Sequence, residues 1–300
     1  MQPELSVLIP TLDSPDVAGV VKGLCSQTAR TESFEVIVSD CNRSKWEAPL
    51  AHLRGEIDLH YLRVARPLLA RTNALNAALE KARGQLILFL AGDFTPDPNF
   101  VALHLAFHAE RPRTDCVAIG PSKFVQEQGD ERFVQWLEAD GRIFGMNGTD
   151  GDAGGFFYVG NASLKRELID RAGMFDTDFP YDAFDDYEYG QRLRAAGMKS
   201  FYLPEALVWH EHAHAPTLAE RSRAMRHAGE SAAVFERKHP GPHDWSTSCT
   251  RHPLRLEADA AYWGLRYLLR RSPEDLGRYY GSRLDAAFVR GWRKGRQCLT

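Results

Sequence analysis

Leu86-Ile-Leu-Phe-Leu-Ala-Gly-Asp93 decides the fold. Five apolar residues of buried-strand length run into a small-residue turn and stop at a carboxylate. The same grammar recurs upstream. Leu5 to Pro10 is an apolar run closed by Thr11, Phe34 to Val38 leads into Asp40, and Ile57 to Val64 alternates as a half-exposed strand. Helical stripes lie between them. Ser14-Pro15 offers an N-cap and a first-turn proline ahead of Val17, Val20, Val21 and Leu24, and Leu75, Ala78, Leu79 and Ala82 share a face that ends at Gly84. Strands and helices alternating over short connections predict an α/β fold: a mixed, mostly parallel sheet flanked by helices. Further along, the pattern predicts a helix from Asp97-Pro98 to about Glu110, a strand over Cys116–Gly120, and a loose stretch from Pro121 to Gly155. It then predicts ordered chain at Phe156–Gly160, helices at Ser163–Ala172 and Asp186–Ala196, and strands at Lys199–Leu203 and Ala206–His210. Beyond His210 the chain reads as helical, so the expected organisation is one domain over 1–215, in halves 1–120 and 121–215, with a helical C-terminal extension over 216–300.

Composition narrows the class. Of 300 residues 44% are hydrophobic, with 24 Gly and 16 Pro, which excludes disordered, collagen-like and fibrous chains. A formal net charge of −3 is too balanced for a dedicated nucleic-acid binder, so no nucleic-acid partner is expected. The last fifty residues are different: they hold 11 basic and 5 acidic side chains. Five scattered cysteines without a Cys-x-x-Cys pair make neither a disulfide framework nor a zinc finger. With no basic-then-apolar leader at the N-terminus and no long apolar run, a cytoplasmic protein is expected.

In an open parallel sheet ligands bind beyond the carboxyl ends of the strands. The polar residues there are Thr11 and Asp13, Asp40 and Asn42, Asp93, and His210. Asp13 and Asp40 are equally explained as turn or cap residues. Two clusters add chemistry. Phe184-Asp185-Asp186-Tyr187-Glu188 opens a helix with three acids; some stabilise the helix start, while crowding of like charge raises a pKa and suits one of them as a general base. His210-Glu211-His212-Ala213-His214 alternates imidazoles, and His210 is the strongest candidate for a metal ligand.

Taken in order, these segments resemble the family 2 glycosyltransferases of the GT-A type, a Rossmann-like architecture, from about residue 5 to 215. The segments are Ser6–Thr11, Phe34–Asp40, Ala70-Arg-Thr-Asn-Ala-Leu-Asn76, Ala82–Leu90, Gly160-Asn-Ala-Ser-Leu-Lys-Arg166, Gly173-Met-Phe-Asp176 and Phe184–Glu188. Two departures stand out: Ala91 replaces the first acid of Asp-x-Asp, and Asp40-Cys41-Asn42 replaces Asp-Asp-Gly. The resemblance implies an inverting transfer of sugar from a nucleotide-diphosphate donor to an acceptor hydroxyl. It implies donor contacts from Pro10, Thr11, Asp13, Asp40, Arg71, Asn73, Gly92 and Asp93, and acceptor or sugar contacts from Gly160, Asn161 and Trp136. Catalysis falls to Asp186 with Asp185.

A diphosphate leaving group calls for a divalent cation, Mn²⁺ or Mg²⁺, with Asp93 and His210 as ligands; the imidazole tilts the choice to Mn²⁺. The expected partners are a nucleotide sugar and a glycan or lipid-linked acceptor. A non-catalytic nucleotide-sugar-binding protein is the competing reading, for which Ala91 is the main support. The basic C-terminal helices, with Trp263, Tyr267, Tyr279, Tyr280 and Trp292, read either as a peripheral contact with an anionic membrane or as a solvated basic face with its aromatics packed inward.

Overall fold

The computed structural model describes residues 2–12, 14, 16–41, 46–64, 71–124, 131–139, 151–152, 157–210, 217–241, 243, 249 and 251–298. The chain divides into two compact units: residues 1–125, 144–177 and 185–213, and residues 126–143, 178–184 and 214–300.

The first unit is built on an eight-stranded sheet. Its strands are β1 (Leu5–Thr11), β2 (Phe34–Asp40), β3 (Asp58–Arg63), β4 (Leu86–Leu90), β6 (Cys116–Ile119), β8 (Gly151–Asp152), β9 (Asn161–Lys165) and β10 (Lys199–Tyr202), in the order β3-β2-β1-β4-β9-β6-β10-β8. β3, β2, β1 and β4 run parallel, β9 is antiparallel to both its neighbours, and β10 is parallel to β6. Every residue of β1, β2 and β4 is buried, as continuous apolar runs require when helices cover both faces. One layer holds α1 (Val17–Cys25), α2 (Glu47–Leu50) and α4 (Phe100–Glu110), which pack Val17, Val20, Val21, Leu24, Leu50, Phe100 and Val101 into the core. The other holds α3 (Arg71–Lys81), α6 (Arg166–Ala172) and α7 (Asp185–Ala195), which bring in Leu75, Leu168, Ile169, Tyr189 and Leu193. β3 is mostly half-buried, with Leu59 buried and both ends exposed, as expected for an edge.

One expectation is corrected. Ser163 to Lys165 is strand rather than the start of a helix, because Ala162, Ser163 and Leu164 pair with both β4 and β6 in the middle of the sheet. α6 therefore begins at Arg166.

A second sheet has only three short strands, β5 (Phe94–Pro96), β11 (Val208–His210) and β7 (Ser122–Phe124), with β11 in the centre. It is antiparallel to β5, with His210 opposite Phe94.

The second unit is helical, with α5 (Glu131–Ala139), α8 (Leu218–Lys238), α9 (Pro253–Arg270) and α10 (Pro273–Cys298). It is more than a C-terminal extension. Phe133 and Leu137 of α5 pack on Tyr280 and Leu284, and Phe179 packs with Val234 and Phe235, so 126–143 and 178–184 join this core rather than the first. α8 and α10 cross at glycines: a Cβ on Gly291 would lie 1.9 Å from the Arg226 carbonyl oxygen, and one on Gly229 would lie 2.1 Å from that of Phe288.

Gly291→Ala should therefore destabilise the protein by about 1–3 kcal/mol, because rigid backbone must move apart. That outweighs the ~1 kcal/mol gain in helix propensity. Urea denaturation followed by tryptophan fluorescence measures the difference; an unchanged or raised midpoint would show that the crossing is looser than described.

Candidate active site

The chain leaves β1 for β2 on one side and returns as β4 on the other, which makes a topological switch point between β1 and β4. A crevice beyond the carboxyl ends of those strands is where such sheets bind ligands. Thr11, Asp40 and the segment after β4 all lie there. Asp40 is fully buried, and its Oδ2 accepts a hydrogen bond from the Tyr61 hydroxyl at 2.5 Å. The hydroxyls of Thr11, Ser39 and Thr72 are buried without a hydrogen-bond partner. Burying such groups costs free energy, and a ligand with donors or acceptors would remove that cost. Pro10 is buried beside Thr11, and Asn73 is half-buried on the first turn of α3. Gly92 passes so close to β1 that a Cβ would lie 3.2 Å from the Pro10 carbonyl oxygen and 2.8 Å from the Ser14 hydroxyl. Asp13, Asn42, His212 and His214 lie outside the described residues.

Asp93 follows β4, and the pairing of β11 with β5 carries His210 to it. The His210 Nε2 and Asp93 Oδ2 atoms are 2.8 Å apart. Phe94 meets the imidazole edge to face at 5.1 Å, and the neighbouring Trp209 indole donates to Asp97 at 2.7 Å. Ligands at adjacent corners of an octahedron with bonds of about 2.1 Å stand about 3 Å apart. The pair therefore fits a divalent ion in spacing and in chemistry, with one hard oxygen and one imidazole. A second cluster, Glu35, Asp58 and His60, fits less well. It lies at the amino ends of β2 and β3, away from the crevice, and the Arg83 guanidinium already bonds Glu35 at 2.9 Å and also pairs with Asp58.

The acidic cluster separates by partner. Asp185 is buried and accepts a bidentate pair from Arg71, at 2.6 Å from Nη2 and 3.1 Å from Nε. Glu188 is bonded in the same way by Arg192, which also donates to the Ala172 and Met174 carbonyls. Asp186 differs. Its Oδ1 accepts the Tyr187 backbone N–H at 2.8 Å, while Arg71 stands 3.8 Å from its Oδ2. Burial first, and then the Asp185 charge, push its pKa up to about 6 against the pull of Arg71. The helix carrying it starts abruptly: Phe184 has φ of 67°, an arrangement costly for a residue with a Cβ.

Tyr158 connects these groups. Burial raises its hydroxyl pKa, and the charges of Asp93, Asp186 and Arg71 all act on it. The sequence reading passed over Tyr158. The available signal was its place two residues before Gly160 in an aromatic run.

Three residues expected to meet acceptor or sugar have partners within the protein. Asn161 is fully buried, with its amide donating to the Ala206 carbonyl at 2.8 Å and the Pro121 carbonyl at 3.1 Å, and its Oδ1 3.2 Å from His104 Nε2. It has nothing left for a sugar. The Gly160 carbonyl accepts the Ala91 N–H at 3.1 Å, a strut rather than a binding group. Trp136 stands on α5 in the helical unit, stacked on Phe133 at 5.9 Å and 5.4 Å from Tyr280, not on a loop.

With this geometry in view, comparison with known proteins is informative. Residues 6–173 match the model of Glycosyl transferase family 2. Chondroitin synthase of Pasteurella multocida is 22% identical over 69% of this chain and 24% of its own length. O-antigen biosynthesis protein RfbC of Myxococcus xanthus is 28% identical over 70% of this chain and 18% of its own. The chain thus spans about a quarter or less of these relatives. Among solved structures, mannosyltransferase PcManGT from Pyrobaculum calidifontis, in complex with GDP-Man and Mn²⁺, superposes with a TM-score of 0.66 at 16% identity, over 98% of this chain and 88% of that one. S. aureus TarS 1–349 in complex with UDP-GlcNAc gives 0.55 at 15% identity, over 98% and 92%. These structures are GT-A glycosyltransferases, and the fold is shared.

The raised Asp186 pKa has a measurable effect on stability. A carboxyl whose folded pKa lies above its unfolded value of about 3.8 adds stability below that value and loses it as pH rises through about 6. Asp186→Asn removes this loss. It should stabilise the protein at pH 8 by up to about 3 kcal/mol, with the gain vanishing below about pH 4. Thermal melts at the two pH values test this; equal melting at pH 8 would contradict the assignment.

Proposed function

The chain belongs to glycosyl transferase family 2, and from that premise we propose that it is an inverting glycosyltransferase that uses Asp186 as its general base. The observation that carries the reading is the separation of the two neighbouring acids. Arg71 holds Asp185 in a bidentate ion pair, while Asp186 keeps a pKa raised to about 6. A base with a pKa near the working pH is mostly ionised, yet still basic enough to take a proton in the transition state.

In this reading Asp186 accepts the proton of an acceptor hydroxyl. The freed oxygen attacks the anomeric carbon opposite the bond to the diphosphate, that carbon–oxygen bond breaks, and a nucleoside diphosphate leaves. One displacement inverts the configuration. Asp185 never meets substrate; it fixes Arg71 and through its charge lifts the pKa of its neighbour. The unpartnered hydroxyl of Thr11 and the buried Asp40 carboxylate line the crevice that would take the nucleoside. Asp93 and His210 would hold a divalent cation, Mn²⁺ by preference of the imidazole, which when bound offsets charge on the diphosphate. Donors named for similar structures, GDP-Man and UDP-GlcNAc, define the class of compound to try first. The acceptor is taken to be a glycan or a lipid-linked alcohol, met in the cytoplasm during cell-envelope or polysaccharide synthesis.

Two measurements test this. Against a panel of nucleotide sugars, Asp186→Asn should keep donor binding but lose transfer by about 10²–10⁴-fold. Wild-type turnover should fall as pH drops through about 6, where the base becomes protonated; retention of more than about a tenth of the turnover in Asp186→Asn would reject the base assignment. Separately, calorimetric titration of a nucleoside diphosphate should show tight binding only with Mn²⁺, weakened in both Asp93→Asn and His210→Ala. An effect confined to Asp93→Asn would remove His210 from the ligand set, and equal binding in chelator would mark a metal-independent or non-catalytic protein.

A further inference from the structure

Helix α9 presents two apolar faces. Leu256 and Ala260 are buried in the helical unit, with Trp263, Gly264 and Tyr267 on the same side. On the opposite side Leu254 is 69% exposed, Tyr262 55%, Leu265 59%, Leu268 61% and Leu269 77%. At 100° per residue these five, with Ala258 and Ala261 between them, fill an arc of roughly 120° along the whole helix. One buried stripe suffices to dock a helix, so a second one facing water is unexplained by the fold.

The charges around the outer stripe are one-sided. Arg255, Arg266 and Arg270 line one flank, and Arg271 ends the helix in a left-handed turn with φ of 56°. The two acids of α9 are both taken up by arginines: Glu257 by Arg283 at 2.7 Å and Arg290 at 2.8 Å, and Asp259 by Arg251. At the same end, Arg132 and Arg271 also line a cavity of about 760 Å³ with Tyr267 and Trp136. A second copy packed face to face and antiparallel would bring arginine flank against arginine flank. An anionic surface matches both features, since leucines enter the acyl boundary while guanidiniums meet phosphates. Among the described residues no helix is long and apolar enough to cross a membrane, so this contact lies on the surface.

We propose that the outer face of α9, through Leu254, Tyr262, Leu265, Leu268 and Leu269 with Arg255, Arg270 and Arg271 beside them, docks on an anionic phospholipid bilayer. This goes beyond the transfer reaction and does not depend on it. Of the two readings of the aromatics offered by the sequence, the contacts favour inward packing: Tyr280 is buried against Phe133, and Trp263 packs under Arg266 and Arg278, so the face proposed here is a different one.

The test floats the full chain through a density gradient, without nucleotide sugar, with vesicles of phosphatidylcholine alone or with a third of phosphatidylglycerol. Wild type should be recovered with the anionic vesicles at physiological salt. Leu265→Ser, Leu268→Ser and Leu269→Ser combined should lower the bound fraction at least about tenfold. Arg255→Gln, Arg270→Gln and Arg271→Gln combined should abolish the preference for anionic over neutral vesicles. All these residues are exposed, so both variants should melt as wild type does, and circular dichroism checks this. The proposal falls if wild type floats with neither vesicle, or if the leucine variant floats unchanged. It also falls if sedimentation shows a wild-type dimer that the leucine variant dissolves while vesicles go unbound. Because neither donor nor acceptor is present, these outcomes leave the transferase reading untouched, and a failed transfer assay leaves this one untouched.

Discussion

The side chain of Asn161 holds the site together from behind. Its amide nitrogen supplies both hydrogens, one to the Pro121 carbonyl and one to the Ala206 carbonyl, while its oxygen faces His104. Pro121 immediately precedes β7, and Ala206 stands two residues before β11, so one carboxamide sets the start of two strands in the small sheet. The register of β11 on β5 then places His210 opposite Phe94 and against Asp93. Three-residue strands have little pairing energy of their own, and such a sheet depends on fixed ends. An orphaned buried carbonyl costs about 1–3 kcal/mol, so removing this one side chain would strip the Ala206 carbonyl of its partner and leave the Pro121 carbonyl with the Val208 N–H. The network is continued by Ser163, whose hydroxyl lies 2.7 Å from His104 and 2.9 Å from His108. Burial lowers the pKa of His104 to about 3 and of His108 to about 4, so both stay neutral and the network keeps its form across the physiological range.

Three buried acids of the first unit share one kind of partner, whereas buried Asp40 accepts the Tyr61 hydroxyl. Glu35, Asp185 and Glu188 are buried, and each is matched by a guanidinium, from Arg83, Arg71 and Arg192 respectively. Such pairing is what burial of a carboxylate demands. Asp186 stands next to a matched acid, and the Nη2 that bonds Asp185 stays 3.8 Å from it. Its pKa is raised by burial first and by the Asp185 charge second, against the pull of Arg71. A third arginine pair at this helix start would stabilise the fold and remove the base.

Much of this was legible in advance, for identifiable reasons. β1, β2 and β4 are continuous apolar runs bounded by turn residues, and burial on both faces leaves no other reading. Asp93 and His210 were found by position alone, as polar residues at strand ends. β9 was read as helix because Asn-Ala-Ser-Leu-Lys has no strong local preference; it is strand because it has two partners, β4 and β6, distant in sequence. The same kind of distant contact draws α5 into the helical unit through Phe133 and Tyr280. Asn161 and Arg71 were identified as special, but the protein partners they have, two backbone carbonyls and Asp185, were not foreseen. Polar residues that serve a buried backbone or a neighbouring acid look in sequence like ones that serve a ligand. The aromatic C-terminal residues stayed open between two readings, because composition does not tell the inner face of α9 from the outer one.

Ala91 is the most unusual residue of the crevice, and the packing explains why its loss of charge is tolerable. Its N–H is bonded to the Gly160 carbonyl, and its methyl packs against the core that contains Leu90, Phe94 and Val208. A carboxylate built on that backbone would need room and a counter-charge at a place where the neighbours are apolar. Ala91 serves the junction after β4 through its backbone and its methyl, and the carboxylate of Asp93, two residues on, is the one that meets His210.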